Sequence, residues 1–361
     1  MKAAILLPVL ARHDAVGNDA LAMASLLRSR GLEVRVFCDT ALGVDEEVSP
    51  PSELLAYAGG PRDIVIYHFS VGWPVALDLL RRARGFRVVR YHNITPPNFF
   101  SDYAPEYEDI CARGRAEIAR VIGLDCDLYL GDSRYNLDEL EERGAPSSRG
   151  AVFGPFHRVE SLLEAEADVD LLDELNDGSR NFLMVGRIAP NKGHLELVDA
   201  FAAYVDAYGD PARLLMVGKS DPRLQGYAEA IRRRADQHQL GERVWWLDSV
   251  TDSTLKSAYL ASHVFMTLSQ HEGFCVPLIE AMALGVPVVA HGSSAIPETA
   301  GNGAVVWQET DPWLYAASAA RIGADEGFRN ALRATARDRY QTEFSPDVLA
   351  RRFLAALGPA L

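Results

Sequence analysis

The sequence predicts an α/β fold of two doubly wound parallel-sheet domains, and three observations carry that prediction. Short apolar runs alternate with helical stretches; the alternation breaks off once, in an acidic stretch, and then restarts; and 361 residues exceed what one ordinary core organises. Each half is long enough to bury a core of its own.

In the first half the strand candidates are residues 3–8, 34–38, 63–67, 87–91 and 127–131, separated by helical patterns. Residues 160–177 carry many carboxylates and no strand signal, and read as an interdomain connection with some helix. The rhythm resumes at 181–186, 213–218, 244–247, 263–268, 286–290 and 304–307. A helix at 255–261 lies within this half, and an amphipathic run at 348–357 closes the chain, with Ser345 placed to cap it and Pro346 suited to its first turn. The expected organisation is a domain over 1–158, a connection over 159–180, a second domain over 181–342, and a helix over 343–361 that returns to the first domain.

Composition narrows the function. Hydrophobic residues make up 48% and charged residues 24%, so neither lobe reads as disordered, and a net charge of -14 repels nucleic-acid backbones. No apolar run reaches the roughly 18 to 20 residues that span a bilayer, and the opening residues lack a signal-cleavage pattern, so the expected location is cytoplasmic. Cys38, Cys111, Cys126 and Cys275 have neither disulfide-framework nor zinc-ligand spacing. The three spaced glycines of a dinucleotide fingerprint are absent after the first strand, where the chain runs Val9, Leu10, Ala11, Arg12, His13, Asp14, Ala15, Val16, Gly17; this argues against a nicotinamide enzyme.

Ligands of open α/β sheets sit beyond the carboxyl ends of the strands, so the loops there are where chemistry is sought. Residues 269–290 read as glycine turn, helix and strand. Pro277 suits the first helical turn and Gly285 the position after the last. The backbone N–H groups of Gly273, Phe274, Cys275 and Val276, with the positive end of the helix dipole, form an anion site suited to a diphosphate. Glu280 is the one charge in an otherwise apolar helix: it lies on a narrow exposed strip, pairs with an internal arginine, or takes a pair of ribose hydroxyls. Glu272 sits in the turn before the helix, either as an ordinary turn carboxylate or as a ligand group.

Two glutamates with seven residues between them, in Glu-Gly-Phe followed by Pro-Leu-Ile-Glu-Ala-Met-Ala-Leu-Gly-Val-Pro-Val-Val, resemble the signature of family 4 of the retaining glycosyltransferases. The resemblance implies a GT-B fold of two Rossmann-like doubly wound domains facing across a cleft. It implies that Glu272 lies against donor-sugar hydroxyls and Glu280 against the ribose. Gly186, Arg187 and Lys192, after the first strand of the second half, are similar to the family's diphosphate clamp, where fixed cations stabilise a departing nucleoside diphosphate. Ser249 and Val250 correspond to the loop that approaches the base, and residues 292–301 form a loop also typical of the family. His92, on a proline-stiffened loop after a strand, is implied to contact the donor hexose, with His68 a weaker second candidate; each is otherwise a structural histidine.

The family often carries a Gly-Gly pair after the first strand, of which only Gly17 remains here. Gly17 can still open a helix toward an anion, while Asp14 and Asp19 beside it disfavour a phosphorylated acceptor. Arg81, Arg82, Arg84, Arg87 and Arg90 form a basic stretch that is either a solvated, ion-paired surface or a peripheral membrane contact. The triplet Asp125, Cys126, Asp127 precedes a strand and does not read as a manganese site. The expected reaction is transfer of a hexose from a nucleotide-diphosphate sugar to a saccharide or lipid-linked acceptor, with GDP-mannose ahead of UDP-hexose. The resemblance further implies retention of configuration and no metal or other cofactor. The competing readings are a catalytically silent nucleotide-sugar-binding subunit and a nucleotide-sugar isomerase of the same architecture.

Overall fold

A computed structural model describes residues 1–11, 14–358 and 360–361; of the glycine-poor stretch after the first strand, Arg12 and His13 lie outside the described residues. The strands, in chain order, are β1 (Lys2–Leu6), β2 (Val9–Ala11), β3 (Glu33–Phe37), β4 (Thr40–Leu42), β5 (Val48–Ser49), β6 (Ile64–Phe69), β7 (Phe86–Tyr91), β8 (Leu128–Gly131), β9 (Gly150–Val152), β10 (Arg180–Val185), β11 (Ala212–Val217), β12 (Val244–Leu247), β13 (Val264–Thr267), β14 (Val288–His291) and β15 (Val305–Trp307). All their pairings are parallel.

The first unit comprises Met1–Pro97, Tyr107–His157 and Ser345–Leu361. Its seven-stranded sheet has the order β5-β3-β1-β6-β7-β8-β9. Strands β1 and β6 lie at its centre, and all six residues of β6 are buried, as a parallel strand covered on both faces requires. The chain winds outward from β1 to β5, then returns beside β1 to wind the other way, so the order reverses between β1 and β6. The helix Pro346–Leu357 packs Leu349, Phe353 and Leu357 into this unit's core beside Phe153 and Phe156. Ser345 stands at its N-cap position, but its side chain makes no capping bond, contrary to expectation.

The second unit comprises Asn98–Glu106 and Arg158–Phe344, with a six-stranded sheet in the order β12-β11-β10-β13-β14-β15. Two departures from the expected boundaries follow. The acidic stretch forms the helices Val159–Glu164 and Val169–Leu175, whose Val159, Leu162, Leu171 and Leu175 are buried in this unit's core. Apolar residues three to four apart gave it a face to bury, despite its charge. Asn98–Glu106 also belongs here, with the Tyr103 ring edge-on to Tyr227 at 5.0 Å. The winding order of the strands reverses between the parallel neighbours β10 and β13, so the loops that leave their carboxyl ends diverge around a crevice, the usual ligand position in such sheets.

The basic stretch does not form one surface. Arg81, Arg82 and Arg84 are exposed, Arg87 is tied to Asp127 and to the carbonyls of Leu124 and Asp125, and Arg90 is fully buried. Among the described residues no helix is long and apolar enough to cross a membrane.

Candidate functional site

The loops after β10 and β13 meet at the reversal point of the second sheet. Asn191 stitches them together: its carbonyl accepts from the backbone N–H groups of Gln270 (2.8 Å) and His271 (3.2 Å), and its side-chain amide donates to the His271 carbonyl (3.1 Å). Gly193 makes the approach possible. It sits at φ +66°, and a Cβ there would lie 1.9 Å from the Leu268 carbonyl oxygen. Asn191 was missed as a positioning residue in the sequence, where only the Pro-Asn-Lys-Gly turn pointed at it.

This stitching brings Lys192 and Glu272 together. The Lys192 ammonium donates to both carboxylate oxygens of Glu272, at 2.7 and 2.8 Å, with the two side chains only 19% and 8% exposed. The Glu272 backbone is held as well: its N–H donates to Ser294 Oγ (2.7 Å) and its carbonyl accepts from Ala295 (3.3 Å). The loop over residues 292–301 therefore buttresses the glutamate. Gly186 ends β10 by donating to the Val217 carbonyl (2.9 Å), and Arg187 follows it with an exposed side chain.

Behind Glu272 the helix Val276–Leu284 begins. Its N-cap residue is Cys275 at φ 80°, ψ 72°, and no side chain caps it. A left-handed backbone at a residue with a Cβ is strained, and such strain persists where the surroundings over-determine it. Burial, then the Glu272 charge, push the Cys275 thiol well above the ordinary thiol range, so it is no ready nucleophile. Phe274 is buried against Phe344, and Gly273 is half-buried. The first-turn N–H groups of a helix have no intrahelical acceptor, and their dipole favours an anion.

Glu280 lies one turn on, half-buried, and accepts from Tyr259 Oη at 2.8 Å. Its partner is thus a tyrosine hydroxyl, not an internal arginine. Burial raises its carboxyl to about 7; the Tyr259 bond and Arg158 oppose this, and Asp252 adds to it. Val250, beyond β12, packs its side chain against the apolar cluster behind the sheet, next to Ser249 at φ +54°.

In the first unit a buried polar network spans four strand ends. Arg90, fully buried, donates through Nε to Asp19 (3.0 Å), through Nη1 to the carbonyls of Gly131 and Phe153, and lies 2.7 Å from Asp132. His92 follows β7 and has both ring nitrogens occupied, Nδ1 by Asp132 (3.0 Å) and Nε2 by His68 Nδ1 (2.9 Å). His68 is wholly buried, so it orients His92 and does not reach a ligand itself. Burial, then the His92 and Arg90 charges, hold His68 well below the ordinary histidine range, in its neutral form. At Asp132 the Arg90 and His92 charges outweigh burial and lower its carboxyl; at Asp19 burial outweighs them and raises it.

Asp19, His68 and His92 are the metal-capable cluster found among the described residues, with ligand atoms within 4.8 Å of one another. Those atoms already bond to one another and to Arg90, whose positive charge competes for Asp19. Asp125 and Asp127 are engaged by Arg149 and Arg87. Gly17 requires a correction. It lies inside the helix Ala15–Ser29, its N–H already donates to the Asp14 carboxylate (3.0 Å), and a Cβ on it would stand 2.7 Å from the Ala11 carbonyl oxygen. The helix end that was expected to meet an anion is capped by the protein's own carboxylate, and the glycine is there for close packing.

Residues 173–339 match the family model described as glycosyl transferases group 1. The serotype-specific mannosyltransferase WbdA of Escherichia coli is 32% identical over 120 residues, which cover 33% of this chain and 14% of that one, so this chain spans only a small part of that relative. A D-inositol 3-phosphate glycosyltransferase of Corynebacterium efficiens is 26% identical over 79% of this chain and 70% of its own. Anabaena HepE, solved in complex with UDP-glucose, superposes with a TM-score of 0.76 at 15% identity, covering 99% of this chain and 100% of that one. With its two parallel α/β units the chain has the GT-B fold, and over residues 173–339 it is similar to the glycosyl transferases group 1 family.

Proposed function

We propose that the protein transfers a hexosyl unit from a nucleoside-diphosphate sugar to an acceptor hydroxyl with retention of configuration. The observation that carries this reading is the Lys192–Glu272 pair, which sits at the reversal point of the second sheet and precedes an uncapped helix N-terminus. In the donor complex the diphosphate takes the Lys192 ammonium, Arg187 and the amides of Gly273 to Val276. Glu272, released from the lysine, accepts from hydroxyls of the sugar, and Glu280 accepts from the ribose.

As the bond between the anomeric carbon and the phosphate oxygen breaks, negative charge grows on the leaving diphosphate and positive charge on the sugar ring. Lys192, Arg187 and the helix dipole stabilise the first, and the Glu272 carboxylate is placed beside the second. The acceptor hydroxyl attacks on the departing face and gives its proton to the leaving phosphate oxygen. The cations of the protein take the place that a metal would hold, so the reaction runs without one.

His92, oriented by Asp132 and His68, reaches the hexose only by giving up a bond within its network, which makes it a selective contact. GDP-mannose is the favoured donor, a choice that the mannosyltransferase relative supports; UDP-hexoses stand second, supported by the UDP-glucose complex of the structural neighbour. The acceptor is a saccharide or lipid-linked group in the biosynthesis of a polysaccharide or other glycoconjugate, and the protein acts in the cytoplasm or at the cytoplasmic face of the membrane. Nucleotide release from a panel of nucleotide sugars, with and without acceptor extracts, tests the reading. Release that is lost in Glu272→Ala and Lys192→Ala supports it; release unchanged in both overturns the site. Donor conversion without any acceptor identifies an isomerase instead.

A further inference from the structure

The second sheet has a second charged feature at the opposite ends of its central strands. A cavity of about 300 Å³ opens at the amino ends of β10 and β13, lined by Arg180, His263, Ile322, Gly323, Arg329 and Arg333. Arg180 is the first residue of β10, and His263 immediately precedes β13. The Lys192–Glu272 pair follows the carboxyl ends of the same two strands. Six residues of extended chain put roughly 20 Å between the two places.

Three guanidinium groups and an imidazole therefore converge in a protein whose net charge is -14. Their compensation is meagre. The ion pair found among the described residues is Arg180 with Asp210, at 4.0 Å, and Asp210 is itself 53% exposed and accepts from Tyr204. Arg329 spends Nη1 on the carbonyls of Ile322 (2.9 Å) and Gly323 (3.1 Å), the last turn of the helix Pro312–Ala324. Arg180 Nε and Arg333 Nε are buried with no hydrogen-bond partner. Both atoms are walled off from the cavity, so each guanidinium keeps an unmet donor inside the protein, and a ligand in the cavity can answer its charge only through the terminal Nη groups.

The local sequence also keeps the cavity open. Gly323 lies against the Arg180 guanidinium, and a Cβ there would stand 1.7 Å from Arg180 Nη1, so a side chain would expel the arginine. His263 Nδ1 accepts from the Asn181 backbone N–H (3.1 Å), which leaves Nε2 carrying the proton as a further donor at the rim. Burial, with repulsion from Arg329 and Arg337, lowers the Arg333 guanidinium from the ordinary arginine range, so an anion there relieves a standing cost.

We propose that this cavity is a binding site for a phosphate group, held by Arg180, Arg329 and Arg333 with His263 at the rim, separate from the donor site. Arginine forks match the geometry of phosphate oxygens, and the volume admits either inorganic phosphate or a small phosphate monoester. The inference does not depend on the proposed reaction, because no residue of the donor site lines the cavity.

The test is a titration of the full chain with inorganic phosphate and with mannose 6-phosphate at constant ionic strength, read by thermal shift and calorimetry. Sodium chloride is the control, and Lys192→Ala, Arg333→Gln and Gly323→Ala are run beside the wild type. The expected result is saturable binding in the wild type and in Lys192→Ala, weakened at least tenfold in Arg333→Gln and in Gly323→Ala, with glycosyl transfer measured without phosphate unchanged in Arg333→Gln. If Arg333→Gln does not fold, Gly323→Ala carries the comparison, since alanine is well tolerated near a helix end. Tighter binding of one probe identifies the source as the free ion or the monoester. Chloride matching phosphate, binding lost in Lys192→Ala, or binding retained in both cavity variants overturns the proposal.

Discussion

Glu280→Gln separates the cost of the proposed donor site from its use. In the folded protein the Glu280 carboxyl is raised from 4.5 to about 7 by burial. An acid whose pKa rises on folding favours the folded state when protonated. That stability is fully present below the unfolded value and is lost as pH rises through the folded one. A rise of roughly 2.5 units at 1.36 kcal/mol per unit corresponds to about 3 kcal/mol, most of it lost between pH 5 and pH 8. Glutamine keeps the shape and still accepts from Tyr259, but it does not titrate.

The variant should therefore gain on the wild type by about 2 to 3 kcal/mol between pH 5 and pH 8. For a unit of this size that is roughly 5 to 10 °C in the melting temperature of the second unit. Donor binding should move the other way. If ribose hydroxyls need the ionised carboxylate, wild-type nucleotide affinity climbs as pH rises toward 7 and then levels, whereas the glutamine variant binds roughly 10 to 100 times more weakly at pH 8 and shows no such climb. Calorimetric melting and nucleotide titration of both proteins across pH 5 to 8 give both readouts. Parallel stability curves for the two proteins would show that Glu280 does not carry the raised pKa, and the reasoning would fail.

Three further outcomes are expected. Lys192→Ala and Glu272→Ala should each destabilise the second unit by about 1 to 3 kcal/mol, and the double variant by less than their sum, because each single change strands a mostly buried charge; a double-mutant cycle in denaturant reads the coupling, and strict additivity would refute it. Cys275→Gly should be more stable than Cys275→Ala by about 1 kcal/mol, since only glycine is at ease at φ 80°; equal melting temperatures would argue against strain. Gly17→Ala should cost about 1 to 3 kcal/mol through its contact with the Ala11 carbonyl while leaving nucleotide affinity unchanged, so weakened nucleotide binding in a folded variant would restore Gly17 to the donor site.

What could be read from the sequence was local. Apolar runs located the central strands of both sheets to within two or three residues, because a strand covered on both faces leaves a continuous signal. The pair β2 and β4, the edge strand β5 and the strand β9 have two or three residues each and left none. In the site, Lys192, Glu272 and Glu280 stood out through their own neighbours, but their partners did not. Lys192 and Glu272 are 80 residues apart, and Glu280 meets a tyrosine 21 residues before it. The network of Asp19, His68, Arg90, His92 and Asp132 is assembled by strand order and by the packing of the helix Ala15–Ser29, so Arg90 read as one more surface arginine when it is fully buried against Asp19.

The helix Pro346–Leu357 has a bearing on how the protein is made. Phe353 completes an aromatic cluster with Phe153 and Phe156 in the first unit, yet it leaves the ribosome about 200 residues after them. At roughly 5 to 20 residues per second, the amino-terminal sheet waits about 10 to 40 s for its last piece of core. Over that interval the whole stretch Arg158–Phe344 is synthesised, so the second unit can finish folding first. The unit that begins the chain is the last to be sealed, and a nascent chain stalled before Phe353 would expose the apolar face of its first sheet to chaperones.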